Sequence, residues 1–207
     1  MYVPPAFAEN RQSVLFDAIH RAGLATLVTL GPEGLEATPV PLLLDAAEGE
    51  RGTLYGHLSR GNPQWRRFDA GVEALVMIQG PDAYITPSWY PTKAGTGKAV
   101  PTWNYVAVHA HGPLEVFEDA ERLRTVVARL SDRHEAGRAD PWRVDDAPAD
   151  FIAAQLKGIV GIRIPITRIE GKWKASQNRT PADRAGVAAG LAAEGQEAMA
   201  ALVVPDP

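Results

Sequence analysis

Extended, β-rich runs separated by glycine and proline fill much of the first half of this chain, and they restrict its fold more than any other feature. Residues 24–30 are followed by the turn Gly31-Pro32-Glu33-Gly34 and by a second extended run at 35–44. Together these read as a β-hairpin. Pro39 and Pro41 lack the N–H that a central strand needs, so the second run belongs at an edge or a bulge. Residues 53–58 read as a third strand and 73–79 as a fourth, with 83–86 continuing or pairing with it. Residues 103–117 are extended with a break at Gly112-Pro113. Residues 159–174 are a strand pair or one long strand, with Ile162, Ile164 and Ile166 at period two. A doubly wound parallel sheet would require a helix after each strand, and that alternation is missing.

Helices decorate this framework. In residues 10–21, Val14, Leu15 and Ile19 recur at helical spacing, and Gly23 suits a C-terminal stop. Asn62 and Pro63 suit the N-cap and first position of a short helix. The clearest helix spans 119–136, capped by Asp119, with a stripe of Leu123, Val126, Val127 and Leu130. A short helix at 151–157 follows the turn-rich stretch 141–150, and the tail from Pro181 is Ala-rich and helical. Residues 87–101 read as a long loop. With no internal repeat or linker, the expectation is one domain over 1–207. Its class is mainly β with inserted helices and a helical tail, α+β.

Composition removes several chemistries. The chain has no cysteine, which excludes disulfides, thiolate metal sites and thiol catalysis. Its net charge of -4 does not suit nucleic acid as main partner, though a small anion needs only a few local cations. No run approaches the ~18 apolar residues of a membrane span, and the start Met1-Tyr2-Val3-Pro4-Pro5 lacks a signal-peptide pattern. A cytoplasmic protein without membrane contact is expected.

Three clusters carry possible chemistry. In Gly56-His57-Leu58-Ser59-Arg60-Gly61-Asn62-Pro63-Gln64-Trp65 a strand ends and a helix begins. Ser59 and the planar fork of Arg60 there suit a phosphate. The alternative is a capped helix with a surface arginine. Tyr84, Trp89, Tyr90, Trp103 and Tyr105 fall in just over twenty residues, in and beside the long loop. Such rings wall a flat ligand, or else pack a core or subunit interface. In Gly171-Lys172-Trp173-Lys174-Ala175-Ser176-Gln177-Asn178-Arg179, strand geometry puts Lys172 and Lys174 on one face. They serve an anion or simply form a basic surface strand.

His109 and His111 share a strand face, but no third ligand at metal spacing accompanies them, and no metal is expected. No nucleophile triad, P-loop or GxGxxG is present, so no catalytic side chain is assigned.

Taken together, these segments and the Met1–Phe7 start resemble the PaiB-type proteins, also described as FMN-binding negative transcriptional regulators. The segments occur in that family's order along nearly the whole chain. The resemblance implies a split β-barrel of the FMN-binding type, as in pyridoxamine-phosphate oxidases and flavin reductases. It implies a homodimer with the flavin at the subunit contact. It further implies that Ser59 and Arg60, before the Asn62-Pro63 helix start, hold the flavin phosphate together with Lys172 and Lys174. His57 stands beside them, and Trp103, Asn104 and Gln177 would meet the ring or ribityl chain. FMN is the expected cofactor, with a deazaflavin or haem as alternatives. The role is a flavin-dependent oxidoreductase or a flavin-responsive regulator, although no helix-turn-helix supports direct DNA reading. A haem-binding or haem-degrading protein, with His57, His109 or His111 as iron ligand, is the alternative.

Overall fold

A computed structural model describes residues 1–203. In chain order the elements are β1 (Ala8–Glu9), α1 (Gln12–Arg21), β2 (Ala25–Gly31), β3 (Gly34–Val40), β4 (Leu42–Asp45) and β5 (Thr53–Ser59). Then come α2 (Gln64–Arg67), β6 (Ala74–Ile85), α3 (Thr92–Thr96), β7 (Thr102–Gly112), β8 (Glu115–Phe117) and α4 (Ala120–Glu135). The chain closes with α5 (Ala149–Leu156), β9 (Ile159–Pro165), β10 (Arg168–Lys174), α6 (Pro181–Ala193) and α7 (Glu197–Ala200). Among the described residues, no helix is long and apolar enough to cross a membrane.

The chain divides into two compact units, and the fold is α+β with antiparallel strands. The central unit comprises residues 16–78 and 109–169. In it β2 pairs with β3 on one side and with the first half of β6 on the other. A four-stranded sheet runs β4-β5-β9-β8. Both prolines of the second extended run sit where the missing N–H is harmless. Pro39 lies in the edge strand β3, and Pro41 lies in the gap where the chain leaves β3 for β4. The single run expected at 35–44 is therefore two strands in different sheets, because the chain crosses over at Pro41. The same holds at 159–174, where β9 pairs with β5 and β8 while β10 pairs with β1.

The stripe of α4 covers the four-stranded sheet. Leu43, Tyr55, Val126 and Leu130 form one buried cluster, with Phe117 packed against it. Asp119 accepts the Arg122 N–H and caps the helix. At the other end of α4, Arg133 donates to the carbonyls of His20, Ala22 and Leu42. Two of these carbonyls, His20 and Ala22, are groups that the end of α1 leaves open, and the third belongs to β4.

The terminal unit comprises residues 1–15, 79–108 and, among the described residues, 170–203. Its strands follow the order β1, β10, β7, β6. Its core gathers Ile85, Tyr90, Ala175, Val187, Leu191 and Met199. The segment 87–101, read from sequence as loop, contains a 3-10 turn at Pro87–Trp89 and the helix α3. Trp89 of that turn explains the glycines of α6. A Cβ at Gly190 would stand 2.3 Å from the Trp89 indole, so glycine lets the helix seat on the ring.

Gly112 ends β7 where a Cβ would lie 2.0 Å from the Pro165 carbonyl oxygen. Backbone cannot swing aside as a side chain would. Gly112→Ala is expected to destabilise the protein by about 1–3 kcal/mol. A lowered urea midpoint with unchanged slope would show this; an unchanged midpoint would refute it.

Candidate functional site

In the terminal unit, strand alternation along β10 brings Lys172 and Lys174 to the ring of Tyr105. Their ammonium nitrogens lie 5.0 Å and 6.0 Å from its centroid. Lys172 is only 8% exposed. It donates to the Tyr2 carbonyl at 3.2 Å and also lies over the Tyr2 ring, at 5.7 Å. Lys174 donates to the Thr102 hydroxyl and to the Trp103 carbonyl. Among the described residues, neither ammonium pairs with a carboxylate. Burial, and then the charges of Lys172 and Arg179, push the Lys174 ammonium below its ordinary range. The bland expectation for this strand, a solvated basic surface, does not describe a lysine this buried. One buried and one half-buried cation, held on carbonyls, a hydroxyl and ring faces, are instead a place where an anion gains.

The turn after β10 holds this pair in place. Ser176 takes a left-handed conformation, φ 63°, unusual for a residue with a Cβ. Its hydroxyl is buried and exchanges hydrogen bonds with Asn104, which is 1% exposed. Gln177 accepts the Ala175 N–H and donates to the Trp173 carbonyl. Asn104 and Gln177, expected from the resemblance to meet the ligand, are therefore committed here to bracing the turn. Trp103 is more available: it is 54% exposed and packs edge-on against Tyr84, which is 49% exposed. Tyr2 and Tyr105 escaped the sequence reading as lysine partners, since only the fold brings residues this far apart in the chain to one place. Arg179 stacks 4.7 Å over Tyr90.

The other cluster lies in the central unit, at the end of β5. Ser59 accepts the Gly61 N–H at 3.3 Å. Asn62 accepts the Gln64 N–H at 2.9 Å and donates to Thr38. The helix α2 begins at Gln64 with Pro63 in the N-cap place, so the start expected at Asn62 and Pro63 lies one residue further along the chain. Arg60 is engaged on both sides: it donates to the carbonyls of Lys157 and Ile159 and pairs with Glu118. Trp65 donates to the Arg60 carbonyl. Gln64, 1% exposed, donates to Thr29, Glu36 and Leu27 from inside the fold. A glutamine beside Asn62-Pro63 gave no sequence signal of this anchoring role. His57 is half-buried, and its Nδ1 is buried with no partner. Burial pushes its imidazole below the ordinary 6.5, so it is held neutral.

Residues 1–168 match the family described as "Putative FMN-binding domain". The chain is 35% identical over 183 residues to "Protease synthase and sporulation protein PAI 2" of Bacillus subtilis, covering 88% of this chain and 85% of that one. Its fold is similar to that of the flavocytochrome Anf3 of Azotobacter vinelandii, with TM-score 0.60 and 13% identity over 84% of this chain and 70% of that one. It is also similar to an FAD and heme binding protein of Mycobacterium smegmatis, with TM-score 0.55 and 18% identity over 80% and 71%. At such identities the likeness is one of fold. The fold is of the split-barrel type that the resemblance implied.

The His57 environment has a pH consequence. Its folded pKa lies below 6.5, so the unfolded chain binds more protons in the window between the two values. Stability is expected to fall as pH drops from 6.5 through that window. His57→Gln should flatten this part of the stability–pH curve, measured by urea titrations. An equally steep fall in the variant would show that another group causes it.

Proposed function

The chain belongs to the PaiB-type family of putative FMN-binding domains, and from that premise we propose that it binds FMN through the lysine pair of its terminal unit. The observation that carries this reading is the unneutralised pair Lys172 and Lys174 at the Tyr105 ring. The donor set suits a phosphate: two ammonium groups with no ion-pair partner among the described residues, and a hydroxyl, Thr102, on the second. The half-exposed Trp103 and Tyr84 offer a flat apolar surface for a ring system. In this reading Lys172 and Lys174 hold the phosphate, and the pair Trp103–Tyr84 contacts the isoalloxazine. Asn104, Ser176 and Gln177 keep the β10 turn in the shape that presents both lysines. Arg60 belongs to the central unit and pairs with Glu118, and this reading gives it no part in holding the phosphate.

Bound FMN would supply hydride and electron transfer, and the protein's part is to hold and orient it. The expected assembly is a homodimer in the cytoplasm, in which a second copy covers the exposed Tyr84 and Trp103. The name of the Bacillus subtilis relative, with its protease synthesis and sporulation, supports a regulatory role. Consumption of NADPH by the loaded protein would favour an oxidoreductase instead.

Fluorescence titration with FMN tests the site. Lys172→Ala and Lys174→Ala are each expected to weaken binding about tenfold or more, as loss of a charge-assisted contact should. Arg60→Ala should change it less than about threefold. If Arg60→Ala abolishes binding while both lysine variants keep it, the phosphate lies at the β5 end and this assignment is wrong. A Soret band in the purified protein would replace flavin by haem.

A further inference from the structure

A cleft of about 550 Å³ opens in the central unit, and the cofactor reading makes no use of it. It lies where the first turns of α4 meet the 144–147 segment and α5. Its volume falls within the range of small-molecule sites. Leu123, Val144 and Leu156, each buried, give it an apolar lining. Alanines at 120, 147, 149 and 153 keep it open, because each contributes a single methyl group.

The charged groups around this cleft balance in number but not in pairing. Its lining includes Arg60, Arg124 and Lys157 against Glu118, Glu121 and Asp145. Arg60 pairs with Glu118, and Arg124 with Asp145. That leaves one ammonium, Lys157, and one carboxylate, Glu121, both exposed. Neither has an ion-pair partner among the described residues. A monoanion would satisfy Lys157 and meet Glu121 unfavourably; a monocation would do the reverse. A ligand carrying both charges satisfies both and lays its apolar part against the leucines and valine.

We propose that this cleft binds a small zwitterion with an apolar body, of which an α-amino acid with a large apolar side chain is the simplest. The ligand carboxylate meets Lys157, its ammonium meets Glu121, and its side chain lies against Leu123, Val144 and Leu156. The proposal does not rest on the flavin reading, since none of these residues belongs to the lysine site.

Isothermal titration of the full chain with three probes tests it: L-phenylalanine, 3-phenylpropionate, which lacks the ammonium, and 2-phenylethylamine, which lacks the carboxylate. Phenylalanine is expected to bind best. Lys157→Gln should weaken phenylalanine and phenylpropionate by about two- to fivefold and spare phenylethylamine. Glu121→Gln should weaken phenylalanine and phenylethylamine and spare phenylpropionate. Ala153→Trp fills the cleft and should remove binding of all three, while FMN affinity and the circular dichroism spectrum stay unchanged. Failure of phenylalanine to bind at 10-millimolar order, equal binding of the three probes, or binding that survives Ala153→Trp would each overturn the proposal. So would loss of a dimer in Ala153→Trp without any phenylalanine binding, since the cleft would then belong to a second copy.

Discussion

The antiparallel ladder between β5 and β9 organises the central unit. It runs without a break from Thr53 opposite Pro165 to Ser59 opposite Ile159. All seven residues of each strand stand opposed along it, so the strand ends are placed firmly. Beside it Arg163 joins Glu48, Tyr55 and Glu115, tying β5, β9 and β8 through one guanidinium. The hydrogen bond from Tyr55, with the charge of Arg163, holds the Glu48 carboxyl below its usual range. Where the ladder ends, the Arg60 N–H continues it by one bond to the Gly158 carbonyl. The Arg60 guanidinium then clasps the same connection and Glu118. This arginine is thus a strand-end clamp, which is why a guanidinium that looks suited to phosphate in sequence is engaged elsewhere in the fold.

The terminal unit rests on a different balance. Lysines are rarely buried, because removing an ammonium from water is costly. Here the cost is offset by carbonyls, a hydroxyl and two tyrosine rings rather than by a carboxylate. That choice leaves the positive potential unspent for a ligand. The left-handed Ser176 and the buried Asn104 belong to the same arrangement, since strain in a turn persists only where surrounding contacts hold it. A buried Asp183 secures the neighbouring segment by accepting from the hydroxyl and amide of Thr92.

Element positions were largely legible in the residues. Period two in 159–174, the Asp119 cap and the α4 stripe each reflect a local rule, and each appears in the structure. What escaped was long-range partnership. Pro41 announced an interruption but not that the chain would change sheets there. Residue type alone did not announce that Asn104 would exchange hydrogen bonds with Ser176, 72 positions away. Gln64, the anchor of α2, looked like any polar residue after a helix start, since its three acceptors come from β2 and β3.

The sequence alone determined the β-rich class, the absence of thiol chemistry, the family, and the residue types able to meet a phosphate or a flat ring. These follow from neighbours along the chain, whose spacing and backbone preferences act locally. Tertiary structure decided which cations remain available. Arg60 and Lys174 carry the same charge in the sequence. Only folding sets a carboxylate beside the first and rings and neutral oxygens beside the second, because the energy of a charge is fixed by what surrounds it in space.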